Sequence, residues 1–201
     1  MELAVALVIL FFSIILHEVA HGVVAHWNGD TTARDAGRLT LNPLPHIDPI
    51  GSVVLPALLV LTHAPVFFGW AKPVPFNPRN FRNWRFGVFT VGLAGPVTNL
   101  LLAVLFSLAL RAQGTENVLS PVWFYGASIN VFLALFNLVP IPPLDGSRAV
   151  LVFLPPDLKR AYASLERWGF VILLALLYTG VLSRVLGPVH EAAMVFLTGL
   201  K

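Results

Sequence analysis

The chain contains no cysteine, which excludes disulfide bridges and any metal site built on thiolates. It is also poor in charge. Only 11% of its 201 residues are Asp, Glu, Lys or Arg, where a soluble domain carries roughly 25%. Thirteen basic and ten acidic residues leave a formal net charge of +3. The basic residues fall in short loops, so no basic stripe exists for nucleic acid to bind. Met1-Glu2 offers no basic n-region and no small-residue cleavage site follows, so the first apolar run is expected to stay as a helix. What the chain has instead is hydrophobic mass. Apolar residues make up 57% of it and its mean hydropathy is +0.79. These values fit a polytopic membrane protein, because long apolar runs read as membrane spans.

Residues 3–25 are long enough to cross a bilayer. Residues 26–49 are polar, with Asn28-Gly29-Asp30 as a turn signal. Residues 52–68 are apolar but broken by Pro56 and Pro65. The stretch "GWAKPVPFNPRNFRNWR" follows, and its alternating prolines favour extended backbone. Further spans are expected over 86–110, 122–139 and 169–186, with a charged segment at 155–168 and a tail of unassigned depth at 188–201. No internal repeat and no soluble domain is visible. The expected organisation is one membrane-embedded domain over 1–201, with a catalytic core at about 3–150 and a C-terminal helical segment at about 155–201.

The first span carries His17-Glu18-Val19-Ala20-His21. On a helix, positions i and i+4 share a face, so His17 and His21 can chelate one metal ion. Glu18 lies beside them and can reach a water on that metal, as the general base of zinc peptidases does. The five-residue pattern alone is weak. Its place in hydrocarbon strengthens it, since ionisable groups there need partners and mark functional sites by default. The plainer alternative is that these side chains only bond other helices.

A catalytic zinc usually holds three protein ligands and one water. The acidic candidates outside the motif are Glu2, Asp30, Asp35, Asp48, Glu116, Asp145, Asp157, Glu166 and Glu191. Asp145 stands out. It follows an apolar span in "PPLDG", where prolines end the helix and Gly146 allows a sharp turn. Such a carboxylate can turn back into the protein at membrane depth, where irregular backbone survives only if it lines a cavity.

"HEVAH" on the first span, "AGPVTN" in a later one and "NLVPIPPLDG" closing the next resemble the site-2 protease family of intramembrane zinc metalloproteases. "GWAKPVPFNPRNFR" is similar to the linking segment of its compact bacterial and archaeal members. The resemblance covers about residues 10–150, and the combination is far more specific than H-E-x-x-H alone. It implies an all-α membrane fold: three core transmembrane helices, a re-entrant or extended segment, and at least one further C-terminal transmembrane helix. It implies one zinc ion held by His17, His21 and Asp145, with Glu18 as catalytic base. It also implies that Asn137 contacts the substrate backbone or the oxyanion. The implied substrates are transmembrane segments in a lipid bilayer, cleaved to release membrane-tethered regulators or to clear signal-peptide remnants. The inserted PDZ-like module of larger relatives is absent.

The ligand positions constrain topology. His17 and His21 lie near the end of the first span, and Asp145 lies just past the end of the span at 122–139. They meet only if these two helices run parallel, which requires 52–68 to dip in and return. The re-entrant arrangement puts ten of the thirteen basic residues on one side (Arg34, Arg38, Lys72, Arg79, Arg82, Arg85, Arg148, Lys159, Arg160 and Arg167) and three on the other. A full crossing divides them eight to five. Positive-inside bias prefers the first split, with an extracytoplasmic N-terminus and a site nearer the cytoplasmic face of a prokaryotic membrane.

Other polar residues have plainer readings. His26 and Trp27 suit the membrane interface. His46 could orient a metal-bound histidine or contact substrate, and Asp48 could do the same or simply shape a turn. His63 could line the cleft. Asn99 and Asn130 are expected to bond between helices. His190 and Glu191 are expected at the surface. Arg148 could anchor headgroups or pair with Asp145. Three rival functions find less support in the sequence. A peptidase of the kind that trims lipidated C-termini would need Glu166 as third ligand, but no ligand motif surrounds it. A metal transporter would need several carboxylates along a path through the bilayer. A catalytically silent relative acting as a membrane chaperone would not need all four catalytic positions, yet all are present.

Overall fold

Every regular element is helical among residues 2–62 and 69–200, which the computed structural model describes. Helix α1 (Glu2–Trp27) opens the chain with 26 residues, about 39 Å at 1.5 Å per residue. Its apolar side chains face outward on nearly every turn, with Leu3, Val8 and Phe12 exposed. A turn at Gly29, φ +106°, leads into the short α2 (Thr32–Asp35).

Asp48 then starts a π-helical turn over Pro49–Val54. Its carboxylate accepts from the N–H groups of Ile50 and Gly51 at 3.0 and 2.7 Å. This satisfies donors that a helix start otherwise leaves bare, and it gives Asp48 the turn role. The turn continues into α3 (Leu55–Leu61). His63 and the rest of 63–68 lie outside the described residues. At Trp70 the chain lies again beside Gly51. The Trp70 N–H donates to the Gly51 carbonyl at 3.1 Å, and Ser52 Oγ donates to the Trp70 carbonyl at 2.9 Å. Gly51 and Ser52 therefore lie beside Trp70, which agrees with the parity of the expected ligands.

Residues 69–77 form an extended strap. Asn83 caps α4 (Trp84–Gln113) by accepting from the Phe86 N–H at 3.1 Å, a contact worth about 1 kcal/mol. Helix α5 (Ser120–Asn137) returns along it. A loop with a cis Pro142–Pro143 bond leads to α6 (Asp145–Leu151). Then come α7 (Pro156–Ser164) and α8 (Glu166–Tyr178), bent by 60° at their junction, and α9 (Val181–Thr198). The expected span at 169–186 is not one helix. Gly180 takes φ +71° and breaks it, because an L-residue resists that conformation and glycine does not. The further C-terminal membrane helix is α9, and it absorbs most of the 188–201 tail.

Helices α1, α4 and α9 are each long and apolar enough to cross a bilayer, and the bent α7–α8 pair would add a fourth only if it counts as one broken span. This is an integral membrane protein. Helix α4 sits at the centre, against α1, α5, α6 and α9. Its buried side is built mostly from small residues: Gly87, Gly92, Ala94, Gly95, Ala103 and Ser107. Small side chains let backbones approach where lipid supplies no hydrophobic drive between helices. Polar groups occupy the interior, with Ser13, His17, His21, Asn99, Asn130 and Asp145 all buried.

Candidate metal centre and active site

His17 and His21 stand one turn apart on α1, with ring centroids 4.7 Å apart and planes at 81°. The His17 ring rests on Gly95 of α4, where any Cβ would overlap it. Asp145 arrives from the other direction as the first residue of α6. The missing side chain of Gly146 lets the Leu138 carbonyl pack against that turn. The result is a tight cluster: His17 Nε2 and His21 Nε2 lie 3.0 and 3.1 Å from Asp145 Oδ2, and 3.0 Å from each other.

The opposite ring nitrogens decide what this cluster can hold. His21 Nδ1 lies 2.7 Å from the Val91 carbonyl, which can only accept, so that nitrogen carries the proton. His17 Nδ1 lies 2.6 Å from Asn99 Oδ1. The Asn99 amide nitrogen is committed as donor to Asn130 Oδ1 at 2.9 Å, so its oxygen faces the ring. With Nδ1 taken on both rings, the two Nε2 atoms are left to meet the Asp145 carboxylate oxygen, and these three atoms lie close enough together to close on one metal ion. Two imidazoles and a carboxylate suit a divalent ion such as zinc.

Glu18 is half-buried at the edge of the cluster. Its Oε2 accepts from the Val74 N–H of the strap at 2.8 Å. Gly22, one turn further along α1, leaves room for the Val74 side chain to pack there. The strap is pinned on both sides of that contact. The Lys72 N–H donates to the His46 carbonyl at 2.9 Å, Arg38 Nη2 donates to the Lys72 carbonyl at 2.7 Å, and the Asn77 N–H donates to Asp30 Oδ2 at 2.7 Å. Pro73 and Pro75 carry no N–H. The carbonyls of Pro73, Val74 and Pro75 accept no bond among the described residues.

The structure gathers His17, His21 and Asp145, with Glu18 next to His17 on α1. The Asn137 amide donates to the Leu133 carbonyl of its own helix at 2.9 Å. Asn99 and Asn130 do bond between helices, in a chain from Ser13 through Asn130 and Asn99 to His17. Fixing the His17 proton is the role that sequence reasoning missed. Its signal was a lone asparagine four residues past Gly95 in an apolar run. His46 is buried, and its Nε2 lies 2.9 Å from the Thr40 carbonyl, so its ring braces the loop rather than a metal ligand. Arg148 pairs with Asp145 Oδ1 at 3.3 Å. His190, expected at the surface, is partly buried, with Nε2 3.2 Å from Ser128 Oγ.

Apolar helices around a two-histidine, one-carboxylate centre with a glutamate at its edge define a membrane-embedded metalloprotease. The model of peptidase family M50 matches residues 108–178, which include Asp145. YwhC of Bacillus subtilis is 40% identical over 192 residues, covering 91% of this chain and 84% of that protein. Rip2 of Mycolicibacterium smegmatis is 36% identical over 176 residues, covering 86% of the chain and 66% of Rip2. Rip2 of Mycobacterium tuberculosis is 33% identical over 171 residues, covering 82% and 62%. All three bear zinc-metalloprotease names, and the chain spans just under two thirds of the length of the Rip2 proteins. No solved structure matches. The chain belongs to peptidase family M50, the site-2 protease family, and is a zinc metalloprotease.

Proposed function

We propose that the chain is an intramembrane zinc endopeptidase that hydrolyses peptide bonds within or beside transmembrane segments of other proteins. His17, His21 and Asp145 hold one zinc ion, and Glu18 is the general base. The observation that carries this reading is the meeting of His17 Nε2, His21 Nε2 and Asp145 Oδ2, with Glu18 one helical position from His17. Bound zinc would supply Lewis-acid polarisation of the scissile carbonyl and acidify a water. Glu18 takes the proton from the attacking water and returns it to the leaving amine. Asn99 and the Val91 carbonyl keep both histidines in the tautomer that points Nε2 inward. Asn137 hydrogen-bonds the substrate backbone or the developing oxyanion.

A helical amide is shielded by its own hydrogen bonds, so the substrate must unwind locally. The strap offers the free carbonyls of Pro73, Val74 and Pro75 to an extended chain, a form of β-addition. The Val74 N–H is engaged by Glu18, and the base is freed when the strap adjusts to its guest. The site lies nearer the cytoplasmic face. Release of membrane-tethered regulators and clearance of signal-peptide remnants both present such unwound segments. Glu18→Gln tests the assignment: the purified variant keeps one zinc per chain and loses about 10²–10⁴-fold in cleavage of a model membrane substrate. Full activity in that variant would refute the base assignment.

A further inference from the structure

We propose that a cavity beside the metal centre is a side-chain subsite for an aromatic or large aliphatic residue of the substrate. The inference rests on the reading that the ligand is a polypeptide. The cavity has a volume of about 200 Å³ and opens to the outside. It lies where the end of the strap, the start of α4, the prolyl loop, α6 and α7 meet. Phe76, Trp84, Pro143, Arg148, Tyr162 and Ala163 line it. A drug-sized ligand needs roughly 300–1,000 Å³, so this space suits a single side chain.

Its walls say which kind. Three aromatic rings and three prolines come from separate parts of the chain to one point. Of its polar side chains, Ser147, Arg148 and Tyr162 are already engaged, and Glu166 is exposed to solvent. The Tyr162 hydroxyl donates to the Pro140 carbonyl at 2.7 Å, and Arg148 Nη1 donates to Asp145 Oδ1 at 3.3 Å. No cavity-lining side chain is among the buried polar atoms left without a partner. An apolar guest fits the aromatic and prolyl walls.

The cavity is also joined to the candidate active site in two ways. Arg148 touches the carboxylate of Asp145 on one side, and on the other its guanidinium carbon lies 5.0 Å from the centre of the Phe76 ring. The strap runs from Val74, whose N–H meets Glu18, to Phe76 in the cavity wall. Those two residues span about 7 Å of extended chain. A peptide lying along the strap with its scissile bond at Glu18 thus places a side chain about two residues away over the cavity. Arg148 is the common wall, so the guest packs against the group that orients a metal ligand.

The test uses the uncut complex. In the Glu18→Gln background, a fluorescent transmembrane peptide is bound in detergent micelles, with Phe or Ala placed at successive positions. One position within about two residues of the scissile bond is expected to favour Phe over Ala by about tenfold. Ala163 is exposed, so Ala163→Phe fills the cavity from its rim. That change should erase the preference while the zinc content stays the same. Trp84→Ala enlarges the cavity and should shift the preference from Phe to Trp. The proposal is overturned if no position prefers Phe, if the peptide fails to bind at all, or if the preference survives Ala163→Phe and is unmoved by Trp84→Ala. Binding is read without cleavage. A failure of the proteolytic reading would appear separately, as an inert wild-type chain.

Discussion

At the scale of single residues, the metal centre depends on which nitrogen of each histidine carries its proton. Val91 fixes this for His21 through a backbone carbonyl, which no substitution removes. Asn99 fixes it for His17 through a side chain, which one substitution can remove. Asn99→Ala should therefore lower zinc affinity about 10–100-fold, the usual cost of losing the partner that orients a ligand. Chelator competition on the purified protein measures it, and an unchanged affinity would remove Asn99 from the site. Gly95 makes a steric counterpart. A methyl group there would occupy the space of the His17 ring. Gly95→Ala should destabilise the protein by about 1–3 kcal/mol through overpacking and displace His17 from the cluster. Gly187, in α9, has open space around it. Gly187→Ala should be neutral or stabilising by up to about 1 kcal/mol through helix propensity. Thermal unfolding in detergent compares the two, and equal effects would mean that the crowding at Gly95 is immaterial.

At the scale of elements, the strap matters most, and Asp30 anchors its far end. Asp30 lies just beyond α1 and is fully buried. Burial alone would raise its pKa. Hydrogen bonds from Thr32, the Asn77 N–H and Asn80 outweigh that and hold the carboxyl below its ordinary value. Its folded pKa thus lies below the unfolded one. The stabilisation is complete above the unfolded value of about 4 and is lost as pH falls through the folded value. Above pH 5 the wild type should exceed Asp30→Asn by about 1–3 kcal/mol, and the gap should close as the solution is taken below pH 4. Unfolding midpoints over that range measure this, and a gap constant with pH would contradict it. Much of this scale was legible in the sequence. The parity of "HEVAH" against "PPLDG" asked for Gly51 and Trp70 on one side, because two distant ligands must share a side, and the hydrogen bond between those residues agrees with it. The break at Gly180 was not legible, since glycine inside an apolar run barely alters hydropathy. The bond from Val74 to Glu18 was equally hidden, because a backbone N–H leaves no mark on residue type. Asn99 could be read as an interhelical contact, but its partner depends on the rotation of α4 against α1.

At the scale of the whole molecule, the arrangement is inside-out: polar groups meet around α4, and large apolar side chains face outward along α1, α4 and α9. Topology is then set by the loops. Residues 28–30 and 77–82 are tied together, with the Arg82 N–H on the Asn28 carbonyl at 2.9 Å and the Asn77 N–H on Asp30. The α1–α2 turn and the end of the strap must share one face of the bilayer. Helix α4 runs from beside them to Gly114, about 45 Å away at 1.5 Å per residue over 30 residues. That length reaches the other face. Ten of the thirteen basic residues fall on the first side under this arrangement, and by positive-inside bias we propose that this side is cytoplasmic. The chain has no native cysteine, so each introduced thiol reports alone. Cysteines replacing Asp35, Asn80 and Arg160, all exposed, should react together with a membrane-impermeant maleimide in inverted vesicles and resist it in intact cells. A cysteine replacing Glu116, in the α4–α5 loop, should do the reverse. Labelling of positions 35 and 80 from opposite sides would mean that the 52–68 segment crosses after all. It would also separate the strap from α1 and, with it, Val74 from Glu18.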